Sequence, residues 1–120
     1  MSSNSIRAYF EANKRLVAET KEMPVLIANT FLAAALYEDV LHPNGDPMTL
    51  EDLAVRNGIV PTTISTHLAY LGEFYRRGKP GLGLVATHEF SGNRRRKTFE
   101  LTPKGRRLIG QLELIFKRMG

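Results

Sequence analysis

Four consecutive cations, Arg94, Arg95, Arg96 and Lys97, form the densest run of like charge in the chain, and a Gly-Asn turn signal stands immediately before them. Like charges this close repel one another, so the run costs folding free energy unless an anion offsets it. A second group lies upstream, where Thr62, Thr63, Ser65 and Thr66 place four hydroxyls within five residues. Short hydroxyl side chains weaken a helix interior, yet they permit close approach to phosphates, base edges and thymine methyls.

Residues suited to catalysis are present but scattered. His42, His67 and His88 have no HExxH spacing and no second histidine nearby, so they supply no metal ligand set. No serine sits in a G-x-S-x-G context, and the GKPGLG cluster does not join a strand to a helix as a phosphate-cradling loop does. Cysteine is absent, which removes thiol nucleophiles and disulfides and fits a reducing compartment. The expectation is a protein that is not an enzyme and carries no metal or cofactor. His67 reads as a packing or phosphate-contacting residue.

Charge is unevenly placed. Residues 1–60 hold five Lys/Arg against eight Asp/Glu, whereas residues 61–120 hold twelve against four, within an overall net charge of +5. Such separation implies a basic face, and nucleic acid is the natural polyanion for a cytosolic protein. The cations do not line one face of an amphipathic helix, which disfavours a membrane surface. With 120 residues and 42% hydrophobic content, the chain is long enough for one domain with a real core. No window is apolar enough for a membrane span and the first residues lack a secretory signal, so a cytoplasmic location is expected.

The elements that must position these groups follow from periodicity. Ile6, Tyr9, Phe10, Leu16 and Val17 predict a first helix from Ser5 to about Thr20, and VLIANTFLAAAL predicts a second, largely buried helix from Pro24 to about Leu41. HPNGDP, with two prolines and Asn-Gly, reads as a loop. Thr49 and Asp52 resemble a capping box ahead of a short helix with Leu50, Leu53 and Ala54 on its apolar face. Gly58 stops that helix, Pro61 starts the next, and Ile64, Leu68 and Leu71 mark the buried side. Helical geometry then turns Thr62, Thr63, Ser65, Thr66, Ala69 and Tyr70 outward. RRGKPGLG reads as a loop, LVATHEF and KTFEL as a hairpin with the cations at its tip, and Thr102-Pro103 as the cap of a final helix striped by Leu108, Leu112, Ile115, Phe116 and Met119. Its first-turn cations Lys104, Arg106 and Arg107 run against the macrodipole and are candidates for phosphate contact.

Helix, helix, turn, helix, hairpin, helix is a winged helix-turn-helix: mainly α with a small β-hairpin, and long terminal helices. Over residues 24–112 the sequence resembles the multiple antibiotic resistance regulator (MarR) family, through TLEDLAVRNGIVPTTISTHLAYL, NRRRKTFELTPKGRRLI and especially LTPKG at Leu101 to Gly105. One domain is expected over 1–120, with a dimerisation helix at about 1–22, a winged core at 24–101 and a second dimerisation helix at 102–119. The recognition helix, about 61–75, would read the major groove through Thr62, Thr63, Ser65, Thr66 and Tyr70. The wing, about 84–101, would reach the minor groove through Arg94, Arg95 and Arg96, with Lys97 on phosphate.

Ile6, Tyr9, Phe10, Leu16, Leu108, Leu112, Ile115, Phe116 and Met119 would form a homodimer interface, since the terminal helices carry more apolar surface than one small domain needs. The expected partner is double-stranded DNA with a palindromic operator, its half-sites about 34 Å apart. The resemblance implies a transcriptional regulator acting as a repressor. It also leaves room for a small-molecule effector, although no residue demands one. Two rival classes stay open: a winged helix that docks proteins within a larger assembly, and a non-specific architectural DNA binder.

Overall fold

Five helices and two antiparallel strand pairs follow one another as α1 (Ser3–Val17), α2 (Val25–Tyr37), α3 (Leu50–Asn57), α4 (Pro61–Leu71), β1 (Phe74–Arg76), β2 (Lys79–Pro80), β3 (Val85–Phe90), β4 (Asn93–Leu101) and α5 (Pro103–Met119). The computed structural model describes residues 3–20, 23–76, 79–90 and 93–119. The mainly α winged helix expected from periodicity is the fold observed.

Local chemistry accounts for the central helix pair. Thr49 Oγ1 accepts the Asp52 N–H at 3.3 Å while Asp52 Oδ2 accepts the Thr49 N–H at 2.8 Å, a reciprocal cap that uses Asp in place of the usual Glu. Gly58, at φ 70°, takes the left-handed conformation that ends α3. Pro61 opens α4 where no N–H is required. The sides predicted to be buried are buried: Leu50, Leu53 and Ala54 on α3, and Ile64, Leu68 and Leu71 on α4. They meet Phe31 of α2, Leu84 and Leu108 in one continuous core.

Two expectations need correction along this stretch. Helix α4 ends at Leu71, not near residue 75, because the returning chain takes up its last carbonyls: the N–H groups of Leu82 and Leu84 donate to Tyr70 O at 2.9 Å and Leu71 O at 2.7 Å. Within RRGKPGLG, β2 pairs antiparallel with β1, so that segment is not simply a loop. HPNGDP is a loop as expected, a turn closed by a Leu41–Pro47 bridge, with the His42 N–H donating to Asp46 O at 2.8 Å.

The wing pairs β3 with β4 in the register Val85–Leu101, Thr87–Phe99 and Glu89–Lys97, and an irregularity after Glu89 brings Phe90 opposite Asn93. A bridge between Thr49 and Thr98 ties β4 to the start of α3. Strand β4 starts at Asn93, so Arg94 to Lys97 are strand residues and do not form the turn itself. The LTPKG segment then has a physical account. Thr102 Oγ1 accepts the Gly105 N–H at 3.0 Å and donates to Gly83 O at 2.6 Å, Pro103 opens α5, and Gly105 lies so close to the Leu84 carbonyl that a Cβ would collide with it.

Lys104 and Arg106 are fixed within the chain. Lys104 Nζ donates to Leu82 O at 2.9 Å and pairs with Glu19 at 3.3 Å, while Arg106 donates to Leu101 O at 2.6 Å and to Glu38 Oε1 at 2.8 Å. Glu38 Oε1 also accepts the Leu101 N–H at 3.1 Å, so α2, β4 and α5 meet at one carboxylate. Arg106 thus ties the root of the wing to α2, Lys104 ties α5 to the segments before β3 and after α1, and both side chains stay about half exposed.

Helix α1 lies along α5. Leu16, Leu108 and Leu112 are buried there within the single chain, so they are not free for a second copy as expected; helical spacing turns them to the same seam as Ala8 and Ala12. Ile6, Tyr9, Phe10 and Phe116 are exposed, Ile115 is half-buried, and the Met119 side chain lies outside the described residues. Helix α2 is also not buried on every side, since Val25, Leu26 and Leu36 face solvent.

Candidate nucleic-acid interface

On α4 the apolar stripe against the core leaves a short polar face outward. Thr62, Ser65 and Thr66 are exposed and Thr63 is half-buried. Thr66 Oγ1 donates back to Thr62 O at 3.2 Å, which fixes its rotamer and leaves its methyl and lone pairs outward. Tyr70 departs from this face: it is half-buried, and its hydroxyl donates to Thr20 Oγ1 at 3.3 Å, binding the end of α4 to the segment after α1. Its angular position, about 140° around the helix from Ser65, brings it to that segment and away from the outermost hydroxyls.

A groove of about 750 Å³ runs between α4, the start of α3 and the wing. Ser65 and Ala69 line one wall and Thr87, His88 and Lys97 the other, with Glu51 and Glu73 also on its surface. Lys97 is exposed and stands opposite Glu89 across the hairpin. His88 Nε2 lies 2.9 Å from Glu100 Oε1 on the exposed wing. Arg96 is exposed, and the side chains of Arg94 and Arg95 lie outside the described residues.

Arg96 does not stand in open solvent alone. It shares a polar hollow of about 500 Å³ with His42, Asp46, Thr49, Glu51 and Asp52. Among the described residues no carboxylate comes within ion-pair distance of it. Asp52 is already engaged, by Thr49 and by His42 Nε2 at 2.7 Å. Burial works to raise the Asp52 pKa, but the bonds from Thr49 and His42 together outweigh it and hold the carboxyl below its ordinary range.

His67 is a functional residue of a different kind. Buried on the inner side of α4, its Nδ1 lies 2.9 Å from Thr30 Oγ1 of α2, which also accepts from Asn57 Nδ2 of α3 at 2.8 Å. Thr30 donates its one hydroxyl proton to Leu26 O at 3.1 Å, so His67 Nδ1 must be the donor in their bond. A single buried hydroxyl thus joins three helices. Burial depresses the His67 pKa by disfavouring the charged ring. Packing, rather than phosphate contact, is its observed role. Helical spacing could have placed His67 on the Ile64 side, but its partners on α2 and α3 are tertiary and leave no trace in the local sequence.

A third concavity, about 770 Å³ and largely apolar, opens between α1, α2 and α5. Tyr9, Leu16, Leu32, Leu36, Ile109 and Phe116 line it, with Asn13, Asn29 and Glu113 as its polar groups. Among the described residues no set of His, Asp or Glu could hold a metal ion, and no helix is long and apolar enough to cross a membrane.

The architecture is that of MarR-like winged-helix proteins. The chain is similar to a variant of MepR from S. aureus bound to an oligodeoxyribonucleotide, with a TM-score of 0.63 at 21% identity over 96% of this chain and 72% of that one. It is also similar to a MepR variant from a multidrug-resistant S. aureus clinical isolate, with a TM-score of 0.65 at 22% identity over 96% and 71% of the respective chains. At this identity the likeness is one of fold. No protein-family model and no curated sequence matches the chain.

Proposed function

We propose that the protein is a sequence-specific DNA-binding transcriptional regulator of the MarR type, acting as a homodimeric repressor in the cytoplasm and carrying out no catalysis. The observation that carries this reading is an exposed hydroxyl face on α4, of which Ser65 borders a groove whose opposite side carries the wing cation Lys97. The bound oligodeoxyribonucleotide of a structural neighbour supports it.

In this reading α4 lies in the major groove, where Thr62, Ser65 and Thr66 offer short donors and acceptors to base edges and Thr63 approaches from the flank. The wing follows the adjacent minor groove, with Arg94, Arg95 and Arg96 as its cations and Lys97 turned to the phosphates bordering the helix–wing groove. Tyr70 acts differently from the other members of the set, since its bond to Thr20 makes it a positioning residue for the end of α4. Ile6, Tyr9, Phe10, Phe116 and the outer side of α2 form the surface that a second copy covers, and Met119 extends it. The apolar concavity between α1, α2 and α5 is where a small effector would enter.

Selection of bound duplexes from a random pool, at low and moderate salt, tests the reading. The expected result is one palindromic motif that persists as salt rises, and a changed motif for Thr62→Ala and Ser65→Ala, each altering discrimination by about 1–3 kcal/mol at its base pair. Enrichment of no motif would favour architectural binding, and the absence of any bound duplex would favour protein docking.

A further inference from the structure

The wing cation Arg96 shares a hollow with Asp46, which a built turn presents, and with Glu51, on the first turn of α3. Asp46 is held by bonds on both sides: its N–H donates to Asn44 Oδ1 at 3.0 Å, and Asn44 Nδ2 donates to its Oδ2 at 3.1 Å. The turn is closed by the Leu41–Pro47 bridge and tied to α3 through His42 and Asp52. Glu51 projects from the first turn of α3, and like Asp46 it is exposed and makes no ion pair among the described residues. Asp46, Glu51 and Arg96 line one hollow without closing on one another.

Two features make this arrangement consequential. A carboxylate bonded directly to Arg96 would neutralise it, whereas carboxylates that share its hollow lower the local potential and leave the guanidinium free to move. Sharing the hollow of Arg96, they would also act on a phosphate that Arg96 holds, since charges within a screening length of about 10 Å still interact. Asp52 contributes to the same negative field, but its capping bonds commit it to the fold.

We propose that the turn over residues 42–47 and the first turn of α3 form an acidic brake on the wing, in which Asp46 and Glu51 compete with DNA phosphates for Arg96. The inference rests on the DNA-binding reading and adds an autoinhibitory device to it. An incoming phosphate competes with the pull of two carboxylates, so a duplex is held less tightly through the wing than Arg96 alone would hold it. The brake weakens as salt screens it, so its effect is largest at low ionic strength.

The test is a double-variant cycle read by fluorescence anisotropy on a random-sequence duplex, with a thermal melt to confirm folding. Asp46→Asn together with Glu51→Gln keeps the local hydrogen-bonding shapes and removes both charges. In the chain that retains Arg96, the pair should tighten duplex binding about fivefold, the scale of an exposed charge interaction. In an Arg96→Ala background the same pair should tighten it by less than about twofold. Equal tightening in both backgrounds would reveal general charge repulsion and overturn the proposal, as would no tightening in either. If the unaltered protein binds no duplex, the DNA-binding reading falls and the brake falls with it; unaltered binding combined with a flat cycle removes the brake alone.

Discussion

His67 shows how one residue ties α4 to the body. Burial disfavours its imidazolium and lowers the pKa of the ring in the folded chain. The sign of the pH effect follows from this. The folded pKa lies below the unfolded value of 6.5, so the unfolded chain binds more protons in that window and stability falls as pH drops through it. Asp52 acts at lower pH, since its depressed pKa adds stability that is lost only as pH falls below 3.8. Urea unfolding should therefore show a lower midpoint at about pH 5.5 than at about pH 7.5, and His67→Gln should flatten that difference. Thr30→Val, which leaves the Asn57 and His67 donors without their shared acceptor, should cost about 1–3 kcal/mol at either pH. A midpoint that does not move with pH in the unaltered protein would show that the buried imidazole contributes nothing to the balance.

At the scale of elements, the wing is a strand pair in which Lys97 stands opposite Glu89, while Arg94, Arg95 and Arg96 occupy the irregular stretch of β4 between that pair and Phe90–Asn93. Replacing Arg94, Arg95 and Arg96 with alanine should weaken binding to every duplex and reduce the salt slope by about 0.9 for each phosphate that is no longer neutralised, with the helices intact by circular dichroism. An unchanged slope would remove the wing from the interface. The helices themselves were legible in the sequence, because caps and stops act locally: Thr49 with Asp52, Gly58, Pro61 and Thr102-Pro103 each do what their spacing predicts.

What was not legible depended on pairings between distant segments. Helix α4 stops early because Leu82 and Leu84 return to its carbonyls, the exposed Lys104 and Arg106 are paired with Glu19 and Glu38 from distant segments, and Arg96 comes to share a hollow with Asp46 only through the fold. Of the outward set on α4, spacing placed Thr62, Ser65 and Thr66 correctly, and it misjudged Tyr70 because Thr20 lies fifty residues away.

At the scale of the molecule, the chain is more extended than its length requires. Its radius of gyration is 15.0 Å, against about 13.5 Å for a compact chain of this size. Terminal helices pressed together along one seam, with Ile6, Tyr9, Phe10 and Phe116 left outside it, account for part of that extension. An apolar surface of this kind is what a second copy would cover, and a two-fold pair would present two α4 helices and two wings to one duplex. A chemical-protection footprint on the selected duplex tests this arrangement most directly. The account predicts two protected major-groove segments centred about 34 Å apart, each with minor-groove protection beside it. A single protected segment, or protection spread evenly along the duplex, would contradict it.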